Sequence, residues 1–129
     1  MHSELSVFVD SLAPLAEVRA ALVQIVGCDF EVHERDVGTL CCARILDIRW
    51  ELVAADGYED DVGIPFTRYC HQLMLVPLHP GCLAAGFAAM HEAIARYVGE
   101  RLAVVLGCRT ILVANLQRQL ADFDGRPDP

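Results

Sequence analysis

The sequence predicts an α+β fold: a two-layer sandwich whose largely antiparallel sheet carries two main helices on one face. Three observations lead there. The run from Leu40 to Ala54 alternates with period two, as a strand does. Two other stretches repeat their apolar residues every three to four positions, as an amphipathic helix does. The elements follow one another as β-α-β-β-β-α-β plus a short C-terminal helix, which two layers accommodate.

The elements are justified in order. Ser6 to Val9 is a short β-like run. Pro14 sits where the first turn of a helix tolerates proline. Leu15, Val18, Leu22, Ile25 and Val26 form an apolar stripe, and Gly27 stops that helix. Phe30 to Arg35 reads as a strand, and Asp36-Val37-Gly38 as the turn of a hairpin. In the run beginning at Leu40, period two groups Leu40, Cys42, Arg44, Leu46, Ile48, Trp50, Leu52 and Ala54 on one face, with Asp47, Arg49 and Glu51 on the other. The run is long for one strand, so a bulge or bend is expected between Arg44 and Asp47. Phe66 to Val76 is the next strand, stopped by Pro77 and Pro80. The second helix begins near Gly81 and carries Leu83, Phe87, Met90, Ile94, Tyr97 and Val98 in one stripe. It runs through Gly99, at a cost of about 1 kcal/mol relative to Ala, and stops at Gly107. Arg109 to Ala114 is a buried strand, and Asn115 caps a short helix with Leu116 and Leu120 inward. One domain spans residues 1–123, and residues 124–129 form a flexible tail. With the helices on one sheet face, Arg49, Glu51, Tyr69 or His71 lie on the other.

A chain of 129 residues buries a core without disulfides or metals. Its 54% hydrophobic and 22% charged composition is that of a globular domain and argues against disorder. The net charge is −8, and all 10 basic side chains are Arg. Such a surface is a poor match for a phosphate backbone, so no nucleic-acid partner is expected. A basic protein partner fits the charge. Met1-His2-Ser3-Glu4 has neither the basic nor the apolar region of a secretory signal. The apolar stretch Cys82 to Met90 is far short of the ~20 residues of a membrane span. A cytoplasmic, membrane-free protein is therefore expected. Its cysteines, Cys28, Cys41, Cys42, Cys70, Cys82 and Cys108, read as reduced core thiols.

The most informative segment runs from Asp56 to Tyr69. Asp56, Glu59, Asp60 and Asp61 place four carboxylates within six residues, followed by a Gly63-Ile64-Pro65 turn. The spacing is not that of an EF-hand, and no Gly-rich phosphate loop accompanies it for magnesium. A solvated loop and a partner-facing surface both fit, since acidic clusters steer basic partners. Tyr58 and Tyr69 flank the carboxylates and suit an interface in which rings anchor and charges orient. Tyr58 is expected to be exposed, whereas Trp50 shares a face with Leu46, Ile48 and Leu52 and belongs to the core.

Other constellations are weaker. His79-x-x-Cys82, with Cys70-His71 nearby, offers zinc-ligand types but lacks a paired Cys-x-x-Cys. Cys70 and His71 are adjacent on a predicted strand and point to opposite faces, so they cannot act as a nucleophile–base pair. His33 and His91 carry no signal of their own. Asp60 and Asp61 sit on an exposed loop that would not raise a carboxyl pKa for acid–base work. No metal, cofactor or catalytic residue is expected.

The arrangement Asp60-Asp61-x-Gly63-Ile64-Pro65-Phe66-x-x-Tyr69, then a helix, then Arg109-Thr110-Ile111-Leu112-Val113, resembles the small single-domain immunity proteins encoded beside bacterial polymorphic toxins. The pattern covers residues 5 to 123. It implies a protein that neutralises a cognate toxin domain, often a nuclease with a basic active-site face, and it carries over no functional residues. The leading expectation is thus a non-enzymatic acidic binding protein. Its partner surface would comprise Asp56, Tyr58, Glu59, Asp60, Asp61 and Tyr69. The alternatives are a small metal-dependent or thiol enzyme using Cys70, His71, His79 or the acidic loop, and a structural homodimer pairing exposed sheet edges.

Overall fold

The computed structural model describes residues 4–79 and 85–127. The expected helix start near Gly81, with Cys82 and Leu83, lies outside them. Strands β1 (Leu5–Asp10), β2 (Glu31–Arg35), β3 (Gly38–Ile45), β4 (Ile48–Ala54), β5 (His71–Pro77), β6 (Arg109–Ala114) and β7 (Arg118–Asp124) form one sheet. Its order is β2-β3-β4-β5-β1-β6-β7, and every neighbouring pair is antiparallel. Helices α1 (Leu15–Val26) and α2 (Ala85–Leu106) complete the expected α+β class.

Two tight turns account for the main departures from expectation. The run from Leu40 to Ala54 is two strands, reversed at Leu46 and Asp47 with φ of 55° and 60°. Positive φ at both central residues is the mirror-image turn whose twist matches antiparallel strands. It pairs Ile45 with Ile48, so the faces exchange parity at the turn. Cys41, Ala43 and Ile45 therefore share a face with Ile48, Trp50 and Leu52, while Cys42 and Arg44 join Arg49 and Glu51. A second turn with positive φ follows β6, one residue longer because Ala114 pairs with Arg118: Asn115 and Leu116 have φ of 51° and 58°, and the Gln117 N–H donates to the Ala114 carbonyl at 3.0 Å. The chain returns there as strand β7 rather than as the expected short helix. A third correction concerns residues 66–76: Phe66–Arg68 is a single 3-10 turn, and the strand starts at His71.

The core divides by sheet face. Leu5, Val7 and Val9 of β1, Trp50 and Leu52 of β4, Leu73 and Leu75 of β5, and Leu112 of β6 meet Val18 and Leu22 of α1 and Val98 and Leu102 of α2. Removing a fully buried leucine of this kind costs about 2–5 kcal/mol. Phe30 and Trp50 meet edge to face, ring centres 6.2 Å apart. The polar groups buried here are tied to backbone. Thr110 Oγ1 donates to the Gly99 carbonyl at 2.7 Å, His91 Nε2 to that of Leu75 at 2.9 Å, and His71 Nε2 to that of Ala13 at 2.8 Å. Both imidazoles must carry their proton on Nε2, because a carbonyl only accepts. His71 thus lies on the helix side, not on the opposite face as expected.

Two glycines permit close approach. A Cβ on Gly99 would stand 3.2 Å from the Phe123 ring, so glycine inside α2 lets β7 pack against it. A Cβ on Gly125 would lie 2.0 Å from the Ala103 carbonyl oxygen. Gly125 also donates its N–H to the Cys108 carbonyl at 2.8 Å, and Arg126 holds the Asp124 carboxylate at 2.6 Å. Strand β7 ends at Asp124, and the Gly125 N–H ties the next residue to the body of the fold.

Edge strand β2 is exposed along its whole length. Its Glu31, His33, Glu34 and Arg35 are charged or polar, which discourages pairing with a second sheet. No helix among the described residues is long and apolar enough to cross a membrane.

Candidate functional site

Opposite the helices, the sheet has an outer face whose two halves differ. Phe8 of β1 and Ile111 and Val113 of β6 point outward there and are buried. Their cover is the connection between β4 and β5, residues 55–70. The Ala55 N–H donates to the Cys70 carbonyl at 2.9 Å, closing the ends of the loop. The Cys70 N–H donates to Val9 at 3.0 Å, fixing the loop to β1. Such compact loops, with ends together and their own side chains inside, behave as small structural units.

Aromatic side chains form its underside. Phe8 meets Phe66 at 5.1 Å and Tyr58 at 5.5 Å, both edge on, and Tyr58 stacks on Phe66 at 5.6 Å. Tyr69 lies 6.3 Å from Phe8 and is only 3% exposed. Burial pushes its phenol pKa upward. The Tyr58 hydroxyl donates to Gln72 Oε1 at 2.8 Å, Gln72 Nε2 to Ser6 Oγ at 3.2 Å, and Ser6 Oγ to Glu4 Oε1 at 3.3 Å. This chain of bonds satisfies polar groups that would otherwise be buried alone. Tyr58, expected to be exposed, is half-buried, and Tyr69 is withdrawn from any partner. Both rings hold the loop from below. The signal for this was present in the sequence, because a strand apolar on both faces needs cover on both.

The four carboxylates all remain exposed on the upper side. Asp60 Oδ1 accepts from the Thr67 N–H at 2.9 Å and from Thr67 Oγ1 at 2.7 Å, which lowers its pKa. Asp60 thereby ties the acidic run to the 3-10 turn. Asp61 Oδ1 accepts from the Val62 N–H at 2.9 Å, inside a turn closed by mutual backbone bonds between Asp61 and Ile64. Asp56 and Glu59 have no hydrogen-bond or ion-pair partner among the described residues. Arg68 Nε binds Asp10 Oδ2 at 3.1 Å at the loop margin.

The other half of the face, over β2 to β4, is bare. β2 begins at Glu31, opposite Cys42, so the edge of β3 from Ala43 to Ile45 has no partner strand. A notch of about 630 Å³ opens there, lined in part by Cys28, Asp29, Arg44 and Arg49. Glu31, Cys42 and Glu51 form one cross-strand row, because 31 pairs with 42 and 42 with 51. His33 lies one step along the same face of β2, its Nε2 3.2 Å from Glu31 Oε2. Arg49 Nε binds Glu51 Oε2 at 3.1 Å. The donor atoms of Glu31, His33 and Cys42 lie within 4.8 Å of one another. None of these residues was singled out as a ligand from sequence, although the Asp36-Val37 hairpin turn fixes the register that brings them together.

The ligand types considered from sequence are dispersed. His71 is bonded to Ala13, and Cys82 is outside the described residues. His79 is exposed and 3.7 Å from Asp47 Oδ1. The thiols are not uniformly core. Cys41 and Cys108 are buried, Cys42 and Cys70 half-buried, and Cys28 exposed. Desolvation raises the Cys41 pKa and pushes that of Cys108 up to about 11. Against known protein families, curated proteins and solved structures, the chain shows no significant match.

Proposed function

We propose that the chain is a non-enzymatic acidic binding protein that occludes a basic protein partner, in the manner of an immunity protein neutralising a cognate toxin domain in the bacterial cytoplasm. The observation that carries this reading is the acidic loop itself. Four exposed carboxylates stand on a segment whose underside is packed against Phe8, Ile111 and Val113. A loop already held in place loses little conformational freedom on binding, which favours affinity. The net charge of −8 adds long-range attraction for a basic surface.

The four carboxylates have different tasks in this reading. Asp56 and Glu59 meet Arg or Lys of the partner directly. Asp60 and Asp61 brace the turn and add to the local field. Tyr58 and Tyr69 act from beneath, as supports.

Co-expression with the toxin-like product of a neighbouring gene tests the proposal. The native chain is expected to rescue growth, and the double variant Asp56→Arg/Glu59→Arg to bind at least about tenfold more weakly, a loss of ~1.4 kcal/mol. Equal killing with and without the protein contradicts it.

A further inference from the structure

Glu31, His33 and Cys42 bring a carboxylate, an imidazole and a thiol to one spot on the bare half of the outer face, their donor atoms within 4.8 Å of one another. We propose that they form a three-ligand site for a divalent ion of the zinc class, with a fourth position open to the notch beside β3. Backbone pairing sets the placement. Glu31 and His33 are two residues apart and share a face, and Cys42 is the cross-strand partner of Glu31. Ligands mounted on a hairpin are held more precisely than ligands on a loop.

The geometry is close to that of a bound ion. His33 Nε2 and Glu31 Oε2 are 3.2 Å apart. A tetrahedral ion with bonds of ~2.0–2.1 Å spaces N and O donors by ~3.3 Å. The Cys42 thiol lies within 4.8 Å of both other donors and would draw closer on binding. The donor set selects the ion. Calcium and magnesium take oxygen ligands, whereas mixed thiolate, imidazole and carboxylate suit zinc and its neighbours. The other carboxylates around the notch are already paired, Glu51 with Arg49 and Asp29 with Arg19, which leaves Glu31 to serve the ion. Three protein ligands leave one position for water or a small ligand. The site shares no residue with the acidic loop, and it stands or falls independently of the proposed partner.

The test uses the full chain, stripped with chelator, reduced, and titrated with Zn²⁺ and in parallel with Co²⁺. One ion per chain is expected, with a thiolate-to-cobalt charge-transfer band that Cys42→Ser abolishes. His33→Ala and Glu31→Gln should each weaken binding at least about tenfold. His79→Ala and Cys82→Ser should leave it unchanged. Bound Zn²⁺ should protect Cys42 from alkylation while Cys28 continues to react. All the substituted ligands lie at the surface or half-buried, so unchanged far-ultraviolet circular dichroism will confirm folding. Absence of binding at equimolar metal, a full cobalt band in Cys42→Ser, or loss of binding in Cys82→Ser would each overturn the proposal.

Discussion

Over β1 and β6 the outer face of the sheet is apolar and covered, whereas over β2 to β4 it is charged and bare. The strands themselves explain the contrast. β1 and β6 are apolar on both sides: Val7 and Val9 face the helices while Phe8 faces away, and Leu112 faces the helices while Ile111 and Val113 face away. Strands of this kind must be buried twice. β3 and β4 alternate, with Cys42, Arg44, Arg49 and Glu51 outward and water sufficing there, and the buried Leu40 is the apolar exception on that face. The acidic loop therefore does structural work before it does anything else. Its rings fill the gap over Phe8, and its carboxylates are what remain on top.

The largest test of this contrast is deletion of a ring. Phe8→Ala or Phe66→Ala should cost about 3–5 kcal/mol in chemical denaturation, since both side chains are almost wholly buried. His33→Ala, on the exposed half, should stay within about 0.5 kcal/mol of the native chain. Equal effects in the two halves would dissolve the distinction. A smaller effect is expected from Tyr58→Phe, which keeps the ring but removes the donor to buried Gln72. Its cost should be about 1–3 kcal/mol, the penalty for leaving a buried acceptor unpaired.

Acidification probes the upper side of the loop. Hydrogen bonds from Thr67 lower the Asp60 pKa in the folded state. A lowered folded value means that the stabilisation is complete above the ordinary carboxylate pKa of ~3.9 and is lost as pH falls through the lower folded value. Protection of the Thr67 amide, taken relative to the unfolded-chain exchange rate at each pH, should therefore fall in acid, and Asp60→Asn should remove that dependence. The gentlest test compares the adjacent thiols of β3. Cys42 faces outward and should alkylate quickly along with Cys28, while Cys41 and Cys108 should react only on unfolding, being buried with raised pKa.

Much of this architecture is legible in the sequence, and the failures share a cause. The stripe of α1, its stop at Gly27, the passage of α2 through Gly99 and the strand at Arg109–Ala114 all follow from periodicity and punctuation. The two turns with positive φ do not. Leu46-Asp47 and Asn115-Leu116 lack the Asn-Gly or Asp-Gly pairs that usually mark such turns, and leucine in the left-handed region costs roughly 1–2 kcal/mol. Tertiary pairing of the flanking strands overrides that local preference. The missed turn at Leu46 also reversed the expected face of Cys42, which hid its convergence with Glu31 and His33. For the acidic loop, composition showed the charge but not the orientation of the rings. Tyr58 and Tyr69 read from the sequence as interface anchors and Phe66 as the start of a strand, whereas the outward-facing Phe8 gathers all three rings into a local core.

Residue-resolved hydrogen exchange across positions 55–70 of the free chain tests the central claim most directly. The account predicts marked protection at Thr67, Tyr69 and Cys70, whose N–H groups donate to Asp60, Phe66 and Val9. That protection should fall to that of a free loop in Phe8→Ala. Exchange of these amides at unfolded-chain rates in the native protein would contradict the account, because the carboxylates would then stand on a loop that nothing holds.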